Sequence, residues 1–313
     1  MSFKNKIFYM RCQKPAPLKT LFEALHHVIV EAPFRITGKT DKSSGSIEMC
    51  GYDASLSVYV ILELKGHTFD SFYCKYEKVD IGIDIETLHS MLKSMDSNEL
   101  ILSIDESSKD VLNINFEDVV HDKKSKTELK LLVLDYDDRQ KQDKDFPVYI
   151  KMNCVEFNKI CKELSSLSEF VEVKCTASHL IFTSVGDKAR REVSYGTDLG
   201  SLKIIWNNDD VRLIQGYYEL KNIVLFNKFN TMYEEVLIHL KSDYLMTIDF
   251  MIGTHGNLLV AITPVNSDII KNSSYAYSDD EEEIIVETKN KVNDDSDEDE
   301  IIVEPTKKIT KKK

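Results

Sequence analysis

The chain has 313 residues and a mass of 36.0 kDa, which is enough for two ordinary domains with buried cores. Its 53 acidic residues outnumber 40 basic ones, and the net charge of -13 argues against a generally basic nucleic-acid-binding surface but leaves room for a local basic lining. The sequence has no apolar run long enough to span a membrane, no signal-peptide core and no CxxC pair, so it predicts a soluble intracellular protein with reduced thiols.

Apolar residues recur at helical spacing in both halves of the chain. They predict helices over residues 18–29, 86–95 and 154–167, and a helix-like segment over 219–229. Strand-like runs fill most of the remaining chain, at 34–37, 56–64, 71–74, 79–85, 100–104, 111–117, 128–134, 148–152, 171–175, 179–183, 192–195, 236–240, 244–250 and 258–263. Strands therefore outnumber helices, with two helices in each half, which favours an α+β fold over alternating βαβ units.

Two changes of composition divide the chain. Residues 135–147 are polar and end in a proline, which indicates a linker, and the part after residue 267 is densely charged with few aromatic residues. We therefore expect a first domain at 1–134, a connector at 135–147, a second domain at 148–267 and a disordered tail at 268–313.

The tail contains 14 acidic and 8 basic residues. Within it, residues 280–287 and 297–304 both place three β-branched residues behind four acids. Such a segment is suited to adding a strand to a partner's sheet edge. A charged solubilising tail is the alternative reading of the same pattern.

Signatures of catalysis are missing from the sequence. It has no GxGxxG, GxxxxGK[ST], HExxH or GxSxG motif, and the adjacent His26 and His27 point too far apart on a helix to ligate one metal ion. Cys154 and Cys161 lie on one side of a helix, and Cys161 falls in its apolar stripe, where a packed thiol is expected. The sequence therefore predicts no enzyme, no metal and no cofactor.

Lysines occupy the polar side of every predicted helix. Lys19 and Lys93 lie opposite the apolar stripes of their helices, Lys159 and Lys162 are neighbours at i and i+3, and a seven-residue spacing returns Lys221 and Lys228 to one face. If the helices share a surface, these side chains attract phosphate without reading bases. Periodicity alone does not bring the helices together, and each lysine taken alone fits an ordinary solvated face.

Over roughly residues 8–266 the chain resembles the proliferating cell nuclear antigen (PCNA) family of DNA sliding clamps. The resemblance lies in the order and spacing of several segments, namely 18–25, 31–32, 52–55, 91–93, 112–117, 156–165, 220–228 and 261–264. It implies two similar clamp-fold domains in each chain, with antiparallel sheets outside and helices lining the inner face. Three chains would close head to tail into a homotrimeric ring around double-stranded DNA.

The resemblance also implies which residues contact DNA. The positions that match the family's basic inner surface are Lys19, Lys93, Lys159, Lys162, Lys221 and Lys228, together with His26. His26 and Ser90 stand where the family usually has lysine, so we expect a weaker positive lining. Contacts of this kind would be non-specific and sensitive to salt.

For ring closure, the resemblance implies pairing between an edge strand at 110–118 and another at 188–195 of the next chain. Arg190 and Arg191 would then face Glu117 and Asp118, although all four also fit ordinary exposed charges.

A pocket for partner peptides is implied as well, at Tyr52, Leu56, Tyr136, Phe146, Leu245, Ala261 and Pro264. Arg139 and Lys141 replace the aliphatic residues usual in the connector, so we expect altered peptide binding. Each pocket residue would look the same as part of an ordinary core.

The function implied by the resemblance is that of a non-catalytic DNA sliding clamp, a processivity factor that tethers DNA polymerase and other replication or repair proteins after a clamp loader has placed it on DNA. Its expected location is the nucleus, or a cytoplasmic replication site for a viral protein. The alternatives are a clamp-fold factor acting as a monomer or dimer, a regulatory adaptor acting through the tail, and an enzyme using Cys154 or Cys161 with a histidine.

Overall fold

A computed structural model gives the fold and describes residues 3–41, 43–93, 99–118, 122–136, 145–198, 200, 202–207, 213–231 and 234–266. All of them belong to one compact unit, Met1–Tyr275. The predicted tail lies outside these residues, as do positions 137–144 of the predicted connector.

The first half, residues 3–136, forms two helices and nine strands within its described part. The helices are α1 (Ala16–Leu25) and α2 (Ile85–Lys93). The strands are β1 (Lys6–Cys12), β2 (Glu31–Thr37), β3 (Ser46–Tyr52), β4 (Val58–Lys65), β5 (Ser71–Cys74), β6 (Lys78–Asp84), β7 (Glu99–Asp105), β8 (Ser108–Asp118) and β9 (Lys123–Lys130).

The second half, residues 145–266, repeats this plan with two helices and nine strands among its described residues. The helices are α3 (Cys154–Ser165) and the single-turn α4 (Leu220–Val224), which is followed by a 3-10 helix at Asn227–Thr231. The strands are β10 (Val148–Asn153), β11 (Phe170–Thr176), β12 (His179–Val185), β13 (Arg190–Gly196), β14 (Leu202–Trp206), β15 (Leu213–Glu219), β16 (Glu235–Leu240), β17 (Met246–Ile252) and β18 (Gly256–Ile262).

The strands form three antiparallel sheets. Two of them lie within one half each, in the orders β5-β1-β7-β8-β9 and β13-β12-β11-β15. The third is shared by the two halves and has nine strands in the order β14-β10-β16-β17-β18-β4-β3-β2-β6. This sheet-rich architecture with few helices confirms the predicted α+β class.

The junction of the two halves is the pairing of β18 with β4. The register runs from Gly256 opposite Leu64 to Ile262 opposite Val58. Gly256 is required here, because a Cβ atom at this position would lie 1.9 Å from the carbonyl oxygen of Glu63. Most side chains along this seam are buried, and the apolar core is continuous through both halves.

The apolar stripes of the helices pack inward as predicted. Leu18, Leu21 and Leu25 of α1 are buried, and so are Phe157 and Leu164 of α3. The start of α3 is capped by Asn153, whose side-chain oxygen accepts hydrogen bonds from the backbone nitrogens of residues 155 and 156 at 2.9 and 3.2 Å. The opposite, polar sides of these helices therefore remain on the surface.

The fourth helix is shorter than the predicted 219–229. It ends at Val224, and Phe226 and Phe229 of the following segment are both buried. Their rings lie 6.0 and 5.2 Å from the ring of Phe250 on β17. Packing of this aromatic group outweighs the weak tendency of so short a segment to continue as an α-helix.

One expected edge strand is wrong. Residues 110–118 belong to β8, which pairs with β7 on one side and with β9 on the other. The edge is formed by β9, where the sequence suggested a strand only at 128–134. Four lysines make β9 too polar to stand out as a strand by hydrophobic pattern. The other expected edge is confirmed, because β13 ends its sheet.

A cavity at the shared seam should weaken the whole fold. Leu258 lies opposite Leu62, and both side chains are fully buried. We expect Leu258→Ala to lower the free energy of unfolding by about 2–5 kcal/mol, measured by urea denaturation. Met251→Ala, on the exposed side of the adjacent β17, is the matched control and should cost about 0.5 kcal/mol. Equal losses for the two variants would contradict the structural role of the seam.

Candidate nucleic-acid interface

The helices of the two halves meet on one side of the molecule. Helix α1 contacts α2 and the 3-10 helix at Asn227–Thr231, and α3 contacts α4 and the same 3-10 helix. Helix α1 also contacts β17 of the second half. The polar sides of helices that are distant in sequence therefore form one surface, which we call the helical face.

An open groove of about 970 Å³ runs across the helical face between the two halves. Both halves supply its polar side chains. The first half contributes Thr20, Glu23 and His27, and the second contributes Lys162, Ser165, Ser168, Glu169, Glu219, Lys221, Asn227 and Lys228.

Three of the six lysines predicted to contact DNA line this groove, namely Lys162, Lys221 and Lys228. Lys19 and Lys93 come together beside it, because the Lys19 ammonium donates a hydrogen bond to the carbonyl oxygen of Lys93 at 3.1 Å. The sixth, Lys159, is exposed on α3 one turn before Lys162. All six lie on the helices or the 3-10 helix of the helical face.

Two glutamates on the helical face were missed by the sequence analysis. The ammonium of Lys228 donates to Glu23 Oε1 at 2.5 Å, and the ammonium of Lys221 lies 2.8 Å from Glu219 Oε2. The hydrogen bond from Lys228 lowers the pKa of Glu23, and the hydrogen bond to Glu219 raises the pKa of Lys221. These shifts favour the charged forms of Glu23 and Lys221 at neutral pH.

Only the pair of Glu219 and Lys221 could be suspected from the sequence, because these residues are two positions apart. Glu23 and Lys228 are 205 residues apart, so only the fold reveals their contact.

Three histidines stack at the end of α1. The ring of His26 lies 3.7 Å from that of His27 and 3.8 Å from that of His89 on α2. Burial, followed by the nearby His26, lowers the pKa of both His27 and His89. Glu23, Lys93 and Lys228 complete the charged surroundings of the cluster. His26, the predicted DNA contact, thus lies on the helical face with two neutral partners.

The histidine cluster makes stability depend on pH. Because the folded pKa of His27 and of His89 is below its ordinary value, the unfolded chain binds more protons just below about pH 6.5. The free energy of unfolding should therefore fall as the pH decreases from about 7.5 to about 5.5.

The decline should be shallower in His89→Gln, and the measurement is urea denaturation across this pH range. His179→Gln, at an exposed position on β12, is the control and should follow the unsubstituted chain. A decline in His89→Gln as steep as in the control would show that the cluster does not cause it.

The predicted peptide pocket is only partly assembled. Tyr136, Leu245 and Ala261 pack together around Cys50 and Tyr59 on the outer side of the shared sheet. The ring of Tyr52 lies 4.3 Å from that of Tyr59, tilted by 33°, and the guanidinium of Arg35 covers the ring of Tyr136 at 4.1 Å. Cys50, Tyr59 and Arg35 carry no sequence pattern that separates them from ordinary strand residues, so they were not predicted.

Of the remaining predicted pocket residues, Leu56 and Pro264 lie near this cluster, whereas Phe146 does not. Leu56 is 67% exposed in a turn with φ of 58°, and its carbonyl oxygen accepts a hydrogen bond from the hydroxyl of Thr263, next to Pro264. Phe146 is buried elsewhere, against His239 and Tyr244 at 5.4 and 6.2 Å. Arg139 and Lys141 lie outside the described residues.

Comparison with known proteins agrees with this arrangement. A family model described as proliferating cell nuclear antigen, N-terminal domain, matches residues 7–140, and the model for the C-terminal domain matches residues 140–265. The chain belongs to the PCNA family. The two matches also confirm a pair of PCNA domains, whose expected limits at 134 and 148 stay predictions.

Three relatives illustrate the extent of the similarity. A probable DNA polymerase sliding clamp of Acanthamoeba polyphaga mimivirus is 26% identical over 229 residues, which are 72% of this chain and 48% of the viral protein. Proliferating cell nuclear antigen 2 of Drosophila melanogaster is 25% identical, and proliferating cell nuclear antigen of Caenorhabditis elegans is 24% identical. The match covers 80% of this chain and 94% of each animal protein, whereas it spans about half of the viral one.

Cys154 and Cys161 of this PCNA-family chain lack the lowered pKa of a nucleophilic thiol. Burial raises the pKa of Cys154 to about 11, and it raises that of Cys161 as well. A nucleophilic cysteine needs the opposite shift. Within the described ranges, no three His, Cys, Asp or Glu side chains are arranged to hold a metal ion. These observations weigh against the cysteine-enzyme alternative.

Proposed function

We propose that this chain is a DNA sliding clamp, a processivity factor that encircles duplex DNA and tethers DNA polymerase and other replication or repair proteins. The observation that carries the proposal is the helical face, where the helices of two PCNA domains bring six lysines to one surface and three of them line a groove to which both halves contribute. Sliding clamps of this family are non-catalytic scaffolds, and we propose the same for this chain.

The charge distribution supports weak, sequence-independent binding that allows movement along DNA. Lysine is a flexible point charge, so the helical face is suited to phosphates rather than to base edges. The chain as a whole carries a net charge of -13 and repels DNA outside this face. Contacts made only to the phosphate backbone do not depend on sequence, which allows the protein to move along the duplex.

Substitution of the groove lysines tests the proposal. The combined change of Lys162, Lys221 and Lys228 to Ala should weaken duplex binding at least tenfold at about 0.1 M salt. It should also reduce the slope of log affinity against log salt by up to about 2.7, because a full phosphate contact contributes about 0.9 and the carboxylates paired with Lys221 and Lys228 lower their share. Fluorescence anisotropy of a labelled duplex measures both quantities.

The control changes the same number of lysines outside the helical face. Lys65, Lys151 and Lys203 are exposed on strands of the shared sheet, and their combined change to Ala should leave binding and polymerase run length on a primed circular template unaffected. Identical behaviour of the two triple variants would refute the proposed interface.

For ring closure we propose pairing of β9 of one chain with β13 of the next. Both strands end their sheets, and both are basic, since β9 carries four lysines and one glutamate while β13 carries two arginines and one glutamate. One of the acids expected to face Arg190 and Arg191, Glu117, pairs with Lys124 within the chain. Arg191 in turn pairs with Glu163 of α3.

Like charges on the two edges should make ring formation depend on salt. We expect the solution mass to shift towards three chains as salt rises from about 0.05 to about 0.3 M, because screening weakens the repulsion. Lys126→Glu should form the trimer already at low salt. Analytical ultracentrifugation measures the mass, and a trimer fraction that falls with salt would contradict charge repulsion at this interface. A monomer or dimer at every salt concentration would instead favour the open-clamp alternative.

Partners and location follow from the same proposal. DNA polymerase and a clamp loader are the expected protein partners, with the cluster around Tyr136 and Ala261 as the expected peptide-binding surface. The expected location is the nucleus, or a cytoplasmic replication site if the protein is viral. None of the helices in the described part of the chain has the length and apolar character needed to cross a membrane.

A further inference from the structure

The groove lysines are already paired with carboxylates before any DNA arrives. Glu23 and Lys228 are each less than half exposed at their side chains, and their pair connects α1 with the 3-10 helix of the other half. Glu219 and Lys221 form the second pair, at the start of α4. Any phosphate that approaches these two ammonium groups therefore meets a neighbouring carboxylate.

Glu219 is held in position by the protein. Its Oε2 accepts a hydrogen bond at 3.2 Å from the side-chain amide of Asn222, and Asn222 is buried. The carboxylate is therefore anchored beside Lys221 rather than free to swing away from a ligand. Glu23 has a lowered pKa, so it keeps its negative charge at neutral pH.

We propose that Glu23 and Glu219 limit the affinity of the helical face for DNA by competing with phosphate for Lys228 and Lys221. The inference rests on the proposed function. A phosphate oxygen and a carboxylate oxygen use the same ammonium donors, so binding of DNA at these lysines requires displacement of the carboxylate. The displaced carboxylate then lies close to a phosphate and repels it. Both effects weaken DNA binding and favour rapid exchange of each lysine from one phosphate to the next.

A purely structural role for these pairs predicts something different. Exposed ion pairs contribute little to stability, about 0.2–1 kcal/mol, so glutamine substitutions should leave the fold intact. Glutamine also retains a side-chain oxygen that can accept a hydrogen bond from lysine. If the two pairs serve only to hold these helices in place, removing the charge of Glu23 or Glu219 should not change the salt dependence of DNA binding.

The test compares Glu23→Gln, Glu219→Gln and the double variant with the unsubstituted full-length chain. The readout is duplex affinity by fluorescence anisotropy between about 0.025 and 0.15 M salt. We expect each substitution to tighten binding about three- to tenfold and to steepen the salt slope, by up to about 0.9 for each lysine released from its carboxylate.

Glu106→Gln is the matched control. Glu106 pairs with Lys75 at 2.6 Å, outside the groove and outside β9 and β13, so the substitution removes the same charge and a similar ion pair. The duplex affinity of this control variant should stay within about twofold of that of the unsubstituted chain. Thermal unfolding of all variants checks that the fold is retained.

The outcomes separate this inference from the proposed function. If the glutamine variants in the groove bind like Glu106→Gln while the triple lysine variant binds more weakly, the competition is overturned and the lysine interface stands. If the triple lysine variant binds as tightly as the unsubstituted chain, both are overturned. Tighter binding and steeper slopes confined to Glu23→Gln and Glu219→Gln support the competition.

Discussion

The pairing of β18 with β4 is the constraint on which the rest of the structure depends. It joins one strand of each half into a single nine-stranded sheet, and most side chains along the seam are buried. The helices bury their apolar stripes in the continuous core, so the shared sheet also fixes the helices relative to one another. Side chains as distant in sequence as Glu23 and Lys228 meet for this reason.

The electrostatics of the helical face follow from this placement. An acidic chain places lysines on one surface, beside two glutamates and two histidines, His27 and His89, whose pKa burial lowers. A strongly positive surface would hold DNA tightly and slow its movement, whereas partly compensated lysines bind phosphate weakly and exchange readily. In the function that we propose, this surface combines attraction to DNA with a limit on the strength of binding.

Hydrophobic periodicity was sufficient to locate the helices and to predict that their lysines lie opposite the apolar stripes. It could not place the helices side by side, because that depends on the long-range register between β18 and β4. It misassigned the edge of the first sheet, since the lysine-rich β9 lacks an apolar pattern.

The partners of the site residues were also beyond local sequence. His89 contacts His26 because α2 packs on α1, and Phe146 is not part of the predicted pocket because it packs on His239.

The most direct test of the account is a structure of the full-length chain with duplex DNA, determined by electron cryo-microscopy. We predict a duplex along the helical face, with phosphates beside Lys162, Lys221 and Lys228 and no contacts to base edges. A duplex bound to the outer side of the shared sheet would contradict the account.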